Sequence, residues 1–165
     1  MEIGIGPEAC GACPSPDGNT MYYYGPDGIR RCHWDGASWS SCGQVANVNS
    51  PYGGFNPVFN GGKLFLATFL VWGEAADIFV SNYDGATDQF DAPVPVTELN
   101  SPYEDVLLWI SPDSNFVIFV SSRSGGYGGF DLYSAEWNPL LGRWDEIRNL
   151  GPEINTAADD TSGHM

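Results

Sequence analysis

Basic residues are scarce in this sequence. The 165-residue chain has one lysine, Lys63, and five arginines against 21 Asp and Glu, for a formal charge of −15. Nucleic-acid binding draws its affinity from clustered Lys and Arg that displace counterions from phosphates, so nucleic acid is excluded as an expected partner. Long apolar runs are missing too. The longest, Leu64 to Trp72, is far short of the ~20 residues of a bilayer-spanning helix, and no membrane insertion is expected. No basic segment followed by an apolar stretch comes after Met1, so no secretion signal is read and a soluble chain is expected. Two histidines occur: His33 lies in an expected strand and His164 near the end, and neither suits the general base of a Ser/His/Asp hydrolase.

Cysteine stops at Cys42. Cys10 and Cys13 form a CxxC, but Cys32 and Cys42 are too widely spaced for the second knuckle of a zinc ribbon. The prolines and Asp-Gly turn after Cys13 replace the helix that a thioredoxin-like redox site needs. Cys32 and Cys42 flank the turn-like Asp35-Gly36-Ala37-Ser38, which makes them a disulfide candidate or two inert core thiols. No metal site and no cofactor are expected.

What is abundant is turn chemistry and aromatic side chains. With 21 Gly and 12 Pro, ordinary helices have little room, whereas 42 % apolar and 14 % aromatic residues suffice for a core. The expected class is all-β. Three copies of one unit fill the chain. Asn49-Ser50-Pro51-Tyr52 recurs as Asn100-Ser101-Pro102-Tyr103 and as Asn155-Thr156-Ala157-Ala158, while Ser15-Pro16-Asp17-Gly18 recurs as Ser111-Pro112-Asp113-Ser114. Ala76-Asp77-Ile78-Phe79 matches Phe130-Asp131-Leu132-Tyr133, and Trp39, Phe90 and Trp144 fall in step. Each unit reads as four short antiparallel strands; in the third they are Leu107 to Ile110, Phe116 to Ser121, Asp131 to Glu136 and Trp144 to Asn149. In the second, Lys63 to Val71 is apolar enough for a strand covered on both faces. The units span approximately 9–54, 55–105 and 106–160, with 161–165 a tail or a cloning scar. Units of this length with four strands predict blades of a β-propeller.

The third unit carries a specific run: Ser111-Pro112-Asp113, then Ser121-Ser122-Arg123-Ser124-Gly125-Gly126-Tyr127-Gly128-Gly129-Phe130-Asp131-Leu132-Tyr133, Trp144 and Leu150-Gly151-Pro152-Glu153-Ile154-Asn155-Thr156. This resembles the WD40-like repeats called PD40, related to the propeller of the translocation protein TolB. The second unit follows the pattern moderately and the first poorly, since no Asp there matches Asp131. The resemblance implies a ring of six to eight blades and, if the family's setting applies, a bacterial periplasm or cell envelope. Three blades do not close a ring. Ile5-Gly6-Pro7-Glu8 matches Leu150-Gly151-Pro152-Glu153, so a head-to-tail homodimer with six blades is the expected completion, the alternative being a piece of a longer propeller.

In such a repeat, the loop after the second strand and the loop between units share one face. That places Trp72, Glu74, Arg123 and Tyr127 beside Tyr103, Glu104, Asp105 and Asp159, a candidate site for a protein, peptide or glycan around the central channel. No catalytic residue is assigned. The alternative is a small carbohydrate-active enzyme using carboxylates of that face, among them Glu74, Glu104, Asp105 and Asp159. Arg123 is expected to pair with Asp131 and fix the Gly-rich loop, and Asp17 and Asp113 to form turns. The acid-rich stretch 82–91 is taken as a hairpin loop, with weak calcium binding as the lesser option.

Overall fold

A computed structural model describes residues 10–49, 54–69 and 73–161. Ile5-Gly6-Pro7-Glu8, Tyr52, Trp72 and His164 lie outside the described residues. Three antiparallel sheets follow one another along the chain, with no helix among the described residues. The first contains β1 (Cys10–Pro14), β2 (Thr20–Gly25), β3 (Gly28–Trp34) and β4 (Trp39–Gln44). The second contains β5 (Gly54–Asn60), β6 (Lys63–Phe69), β7 (Ala76–Asp84), and the two-residue strands β8 (Gln89–Phe90) and β9 (Val94–Pro95). The third contains β10 (Asp105–Ile110), β11 (Phe116–Ser121), β12 (Asp131–Asn138) and β13 (Arg143–Asn149). In the second sheet the fourth place is shared by β8 and β9, which both pair with β7. A continuous strand is interrupted there because Pro93 and Pro95 have no N–H to give a ladder.

The repeated residues have repeated bonds. The Oδ1 atoms of Asn49, Asn100 and Asn155 accept the N–H of Ile29, Ile78 and Leu132 at 2.6, 2.8 and 2.8 Å, and their Nδ2 groups donate to the carbonyls of the same residues at 3.2, 3.0 and 2.9 Å. Each asparagine amide thus continues the third strand's ladder where the fourth strand has ended, leaving no orphaned backbone group. The turns at Ser15 and Ser111 also match: each hydroxyl donates to Asp17 or Asp113 at 2.5 Å, and each N–H donates to the carbonyl of Thr20 or Phe116. A third regularity is an aromatic pair across the last hairpin of each sheet, Trp34 with Trp39, Tyr83 with Phe90 and Trp137 with Trp144, at 5.5, 5.0 and 5.4 Å between ring centroids.

The core lies in two seams. Tyr22, Ile29, Val45 and Val48 of the first unit pack on Leu64 and Phe90 of the second. Phe65, Ile78, Val96 and Leu99 of the second pack on Leu107, Val117, Phe119 and Trp144 of the third. The first strand of each sheet shifts register once, between Cys10 and Cys13, Phe55 and Val58, and Leu107 and Trp109. These shifts bend the inner strands where they come together. Cys32 and Cys42 form a disulfide. Cys32 alternates with Ile29 and Arg31, so the bridge lies on the face of the first sheet turned away from the second. Asp84 and Asp88, in the acid-rich stretch, are held by Thr87 with the Ala86 N–H and by Arg31 with Tyr83.

Candidate functional site

The Gly-rich loop, 122–130, leaves β11 and enters β12 through Asp131. Asp131 is buried, 1 % exposed, and its carboxylate accepts the N–H groups of Tyr127 at 2.6 Å and Gly128 at 3.1 Å and the Asn149 amide at 3.1 Å. Two of the glycines are dictated by this closure. A Cβ at Gly126 would sit 1.8 Å from the Asp131 carboxylate, and one at Gly128 would sit 2.0 Å from the Ala158 carbonyl. The loop is therefore closed by its own protein, rather than held open as a phosphate cradle.

Arg123 does not pair with Asp131, contrary to the sequence-based expectation. Its guanidinium donates to Asp105 at 2.7 Å, to the Leu99 carbonyl at 2.6 Å and to the Ser121 hydroxyl at 2.8 Å, and lies 5.0 Å from the ring centroids of both Phe119 and Tyr133. Register brings both carboxylates opposite Ser121, Asp105 on β10 and Asp131 on β12, two residues from Arg123; the Asp131 carboxylate is already occupied by the Tyr127 and Gly128 N–H groups and the Asn149 amide, which leaves Asp105 for the guanidinium. Asp105 is fully buried, and its second oxygen accepts the N–H and hydroxyl of Ser101 at 2.6 and 2.7 Å. Asp105 and Arg123 form a staple between the connecting loop and the third sheet, with no lone pair of Asp105 turned to solvent. Asp160 repeats half of this arrangement: it holds the N–H and hydroxyl of Thr156, but bonds to no arginine among the described residues.

The other expected site residues sit on the loop face. Tyr127 is 50 % and Tyr103 45 % exposed, Glu74 is exposed, and Asp159 is exposed while accepting the Phe130 N–H at 3.2 Å. The Ser122 N–H donates to the Glu104 carbonyl at 3.0 Å and the Glu104 N–H to the Ser122 hydroxyl at 3.2 Å, which brings the loop before β10 against the Gly-rich loop. Beside them lies a cavity of about 300 Å³ whose lining includes Phe55 of β5, Phe69 of β6, Leu108 of β10, Glu104 and Phe130. Sequence reasoning had Glu104 on this face but missed the three phenylalanines, whose apolar character reads as core. A second opening, of about 620 Å³, is lined by residues of β1, β5 and β10, the first strands of all three sheets.

Asp77, the second sheet's counterpart of Asp131, is half-buried. Burial pushes its carboxyl above the usual carboxylate range, and the nearby charges of Asp105 and Glu74 push it further. Among the described residues no group of three or more metal-ligating side chains is gathered. Among the described residues no helix is long and apolar enough to cross a membrane.

Three successive antiparallel sheets packed face to face through two seams define a propeller-type fold. Solved structures agree. A TolB-like protein of Agrobacterium tumefaciens superposes with a TM-score of 0.63 at 15% sequence identity, over 90% of this chain and 47% of its own length. A puromycin-hydrolyzing peptidase of Mycobacterium tuberculosis gives 0.51 at 15% identity, over 87% of this chain and 23% of its own. A GH43_12 protein from a capybara gut metagenome gives 0.50 at 14% identity, over 88% and 31%. At these identities the likeness is one of fold, and the chain spans about half the length of the TolB-like structure or less of the others. No family model and no curated protein matches the chain.

Proposed function

We propose that the chain is a non-catalytic propeller module of the PD40 type that binds a basic or aliphatic segment of a protein or peptide on its loop face. The observation that carries this reading is the cavity of about 300 Å³ whose lining includes Phe55, Phe69 and Phe130 together with Glu104. Half-buried rings beside one carboxylate suit the stem and cationic head of a Lys or Arg side chain. The net charge of −15 raises the local concentration of such a partner. Tyr103 and Tyr127, exposed on the same face, offer adjoining contact surface. In this reading Asp105, Arg123 and Asp131 support the site and do not touch the ligand.

The test is titration with a lysine-rich peptide and its acidic counterpart, read by calorimetry at low and high salt. The basic peptide binds and the acidic one does not, and Glu104→Gln with Phe130→Ala removes the binding while leaving the urea midpoint nearly unchanged. Equal binding of both peptides, or binding unaffected by that double change, overturns the reading.

A second copy of the chain is proposed as the partner that completes the ring. Two sheet faces have no other sheet packed on them among the described residues: that of the first sheet bearing Met21, Trp34 and the disulfide, and that of the third bearing Phe116, Ile118 and Leu132. The match to 47% of the TolB-like structure is consistent with two copies filling one such ring.

The carbohydrate-active reading rests on one observation, the raised Asp77 carboxyl beside Glu74. A retaining or inverting glycosidase needs one protonated and one ionised carboxyl across a sugar-sized gap. Release of reducing sugar that Asp77→Asn abolishes would favour it over the binding module.

A further inference from the structure

The two seams between sheets are built from equivalent positions, and one is plugged where the other is open. In the first seam, Tyr22, Phe59, Tyr83 and Phe90 form an aromatic cluster with centroids 4.9 to 6.3 Å apart. Arg31 reaches across it to Asp88, with two guanidinium contacts of 2.8 and 2.6 Å. In the second seam the pairing registers put Val80 in the place of Arg31 and Ile110 in the place of Phe59. Two residues before the outer aromatic, Gly142 replaces Asp88. Both halves of the plugging ion pair are thus absent.

A cleft of about 470 Å³ opens there, bordered by the β5–β6, β10–β11 and β12–β13 turns, at the end of the strands opposite the Gly-rich loop. Its apolar wall is Trp137, set edge-on against Trp144, together with Val80. Its polar rim is Lys63, Glu98 and Asn115. Glu98 accepts the Trp144 N–H at 3.1 Å through one oxygen, and its other oxygen makes no hydrogen bond among the described residues. Lys63 lies 5.8 Å from the Trp137 ring and forms no ion pair among them. Aromatic surface on one side and, on the other, the Lys63 ammonium, the second Glu98 oxygen and the Asn115 amide, whose Nδ2 also donates to Asp113 at 3.2 Å, match a sugar ring, which is apolar on its C–H face and hydroxylated at its edge. The chain's negative charge disfavours an acidic sugar.

We propose that this cleft is a binding site for a neutral saccharide of one or two rings, which stacks on Trp137 and hydrogen-bonds through Lys63, Glu98 and Asn115. The site is separate from the loop-face cavity and does not depend on that reading. The test uses cellobiose, maltose and diacetylchitobiose, each at about 10 mM, in saturation-transfer NMR with the full chain, since weak saccharide affinities fall near the millimolar range. The decisive variant rebuilds the plug of the first seam, Val80→Arg with Gly142→Asp. Gly142 has φ +65°, close to the 56° that Asp88 adopts, so the aspartate has a conformation already used in the repeat. At least one disaccharide should bind, with affinity lost in the plugged variant and reduced at least fivefold in Asn115→Ala, a change at an exposed residue. The plugged variant should still bind the basic peptide if that reading holds, which keeps the two tests distinct. Absence of binding by all three disaccharides, or binding that survives in a folded plugged variant, overturns the proposal.

Discussion

Replacing Arg123 by alanine should be among the most damaging changes in the chain. The Arg123 side chain is 17% exposed and the Asp105 side chain not at all. Its loss leaves a buried carboxylate whose remaining partners are the N–H and hydroxyl of Ser101. Breaking a buried pair from one side costs about 3–5 kcal/mol. Ser101 holds the cost toward the lower end, whereas loss of the cation over Phe119 and Tyr133 adds ~1 kcal/mol. The expected total is about 3–5 kcal/mol, a large part of the roughly 5–15 kcal/mol that holds a domain folded. In urea, with a slope of about 2 kcal/mol per molar, the midpoint should fall by about 2 M at fixed chain concentration. Asp105→Ala, alone and combined with Arg123→Ala, completes the cycle, and the double variant should cost about 2 kcal/mol less than the two single costs added. A loss under about 1 kcal/mol for Arg123→Ala, as for an exposed pair, or additive single effects, would refute the staple.

Asn155→Ala should cost about 1–3 kcal/mol, because the Leu132 N–H loses its acceptor at a position only 2% exposed, and amide exchange at Leu132 should accelerate. Unchanged exchange would count against the ladder-extending role. Removing the disulfide by Cys32→Ser and Cys42→Ser should lower stability by about 2–3 kcal/mol for so short a loop, seen as a lower urea midpoint that reductant does not lower further. Asp77 has a folded-state pKa above its unfolded one, so protonation favours the fold. Stability is lost as pH rises from the unfolded carboxyl value through the folded one, and stays lost at neutrality. Asp77→Asn should therefore gain on the wild type between acid and neutral pH; parallel pH profiles of urea midpoints would contradict this.

The strands of the third unit were legible to within one or two residues, because β-branched and aromatic runs alternate there with Asp, Asn and Gly turns. The repeated asparagines were legible as a pattern but not as a bond, since their ladder-extending role depends on where the fourth strand ends. Lys63 to Val71 was expected as one strand; β6 ends at Phe69, and residues 70–72 lie outside the described residues, Trp72 with them. The partner of Arg123 was misread because Asp131 is nearer in sequence; both carboxylates lie opposite Ser121, and Asp131 is taken by the amides of its own loop, an occupancy that the sequence does not display. The second-seam cleft depends on volume and was missed. Its signal was nevertheless present: once Trp144 is aligned with Phe90, Gly142 falls on Asp88, and the plug is seen to be missing.

The most direct test of the account is the absolute mass of the chain in solution, measured by light scattering behind a sizing column across a dilution series. Two sheet faces without a packed neighbour, completed by a second copy, predict a stable species near twice 17.9 kDa. A monodisperse species of 17.9 kDa at every dilution, or polydisperse aggregates, would contradict the ring built from two copies.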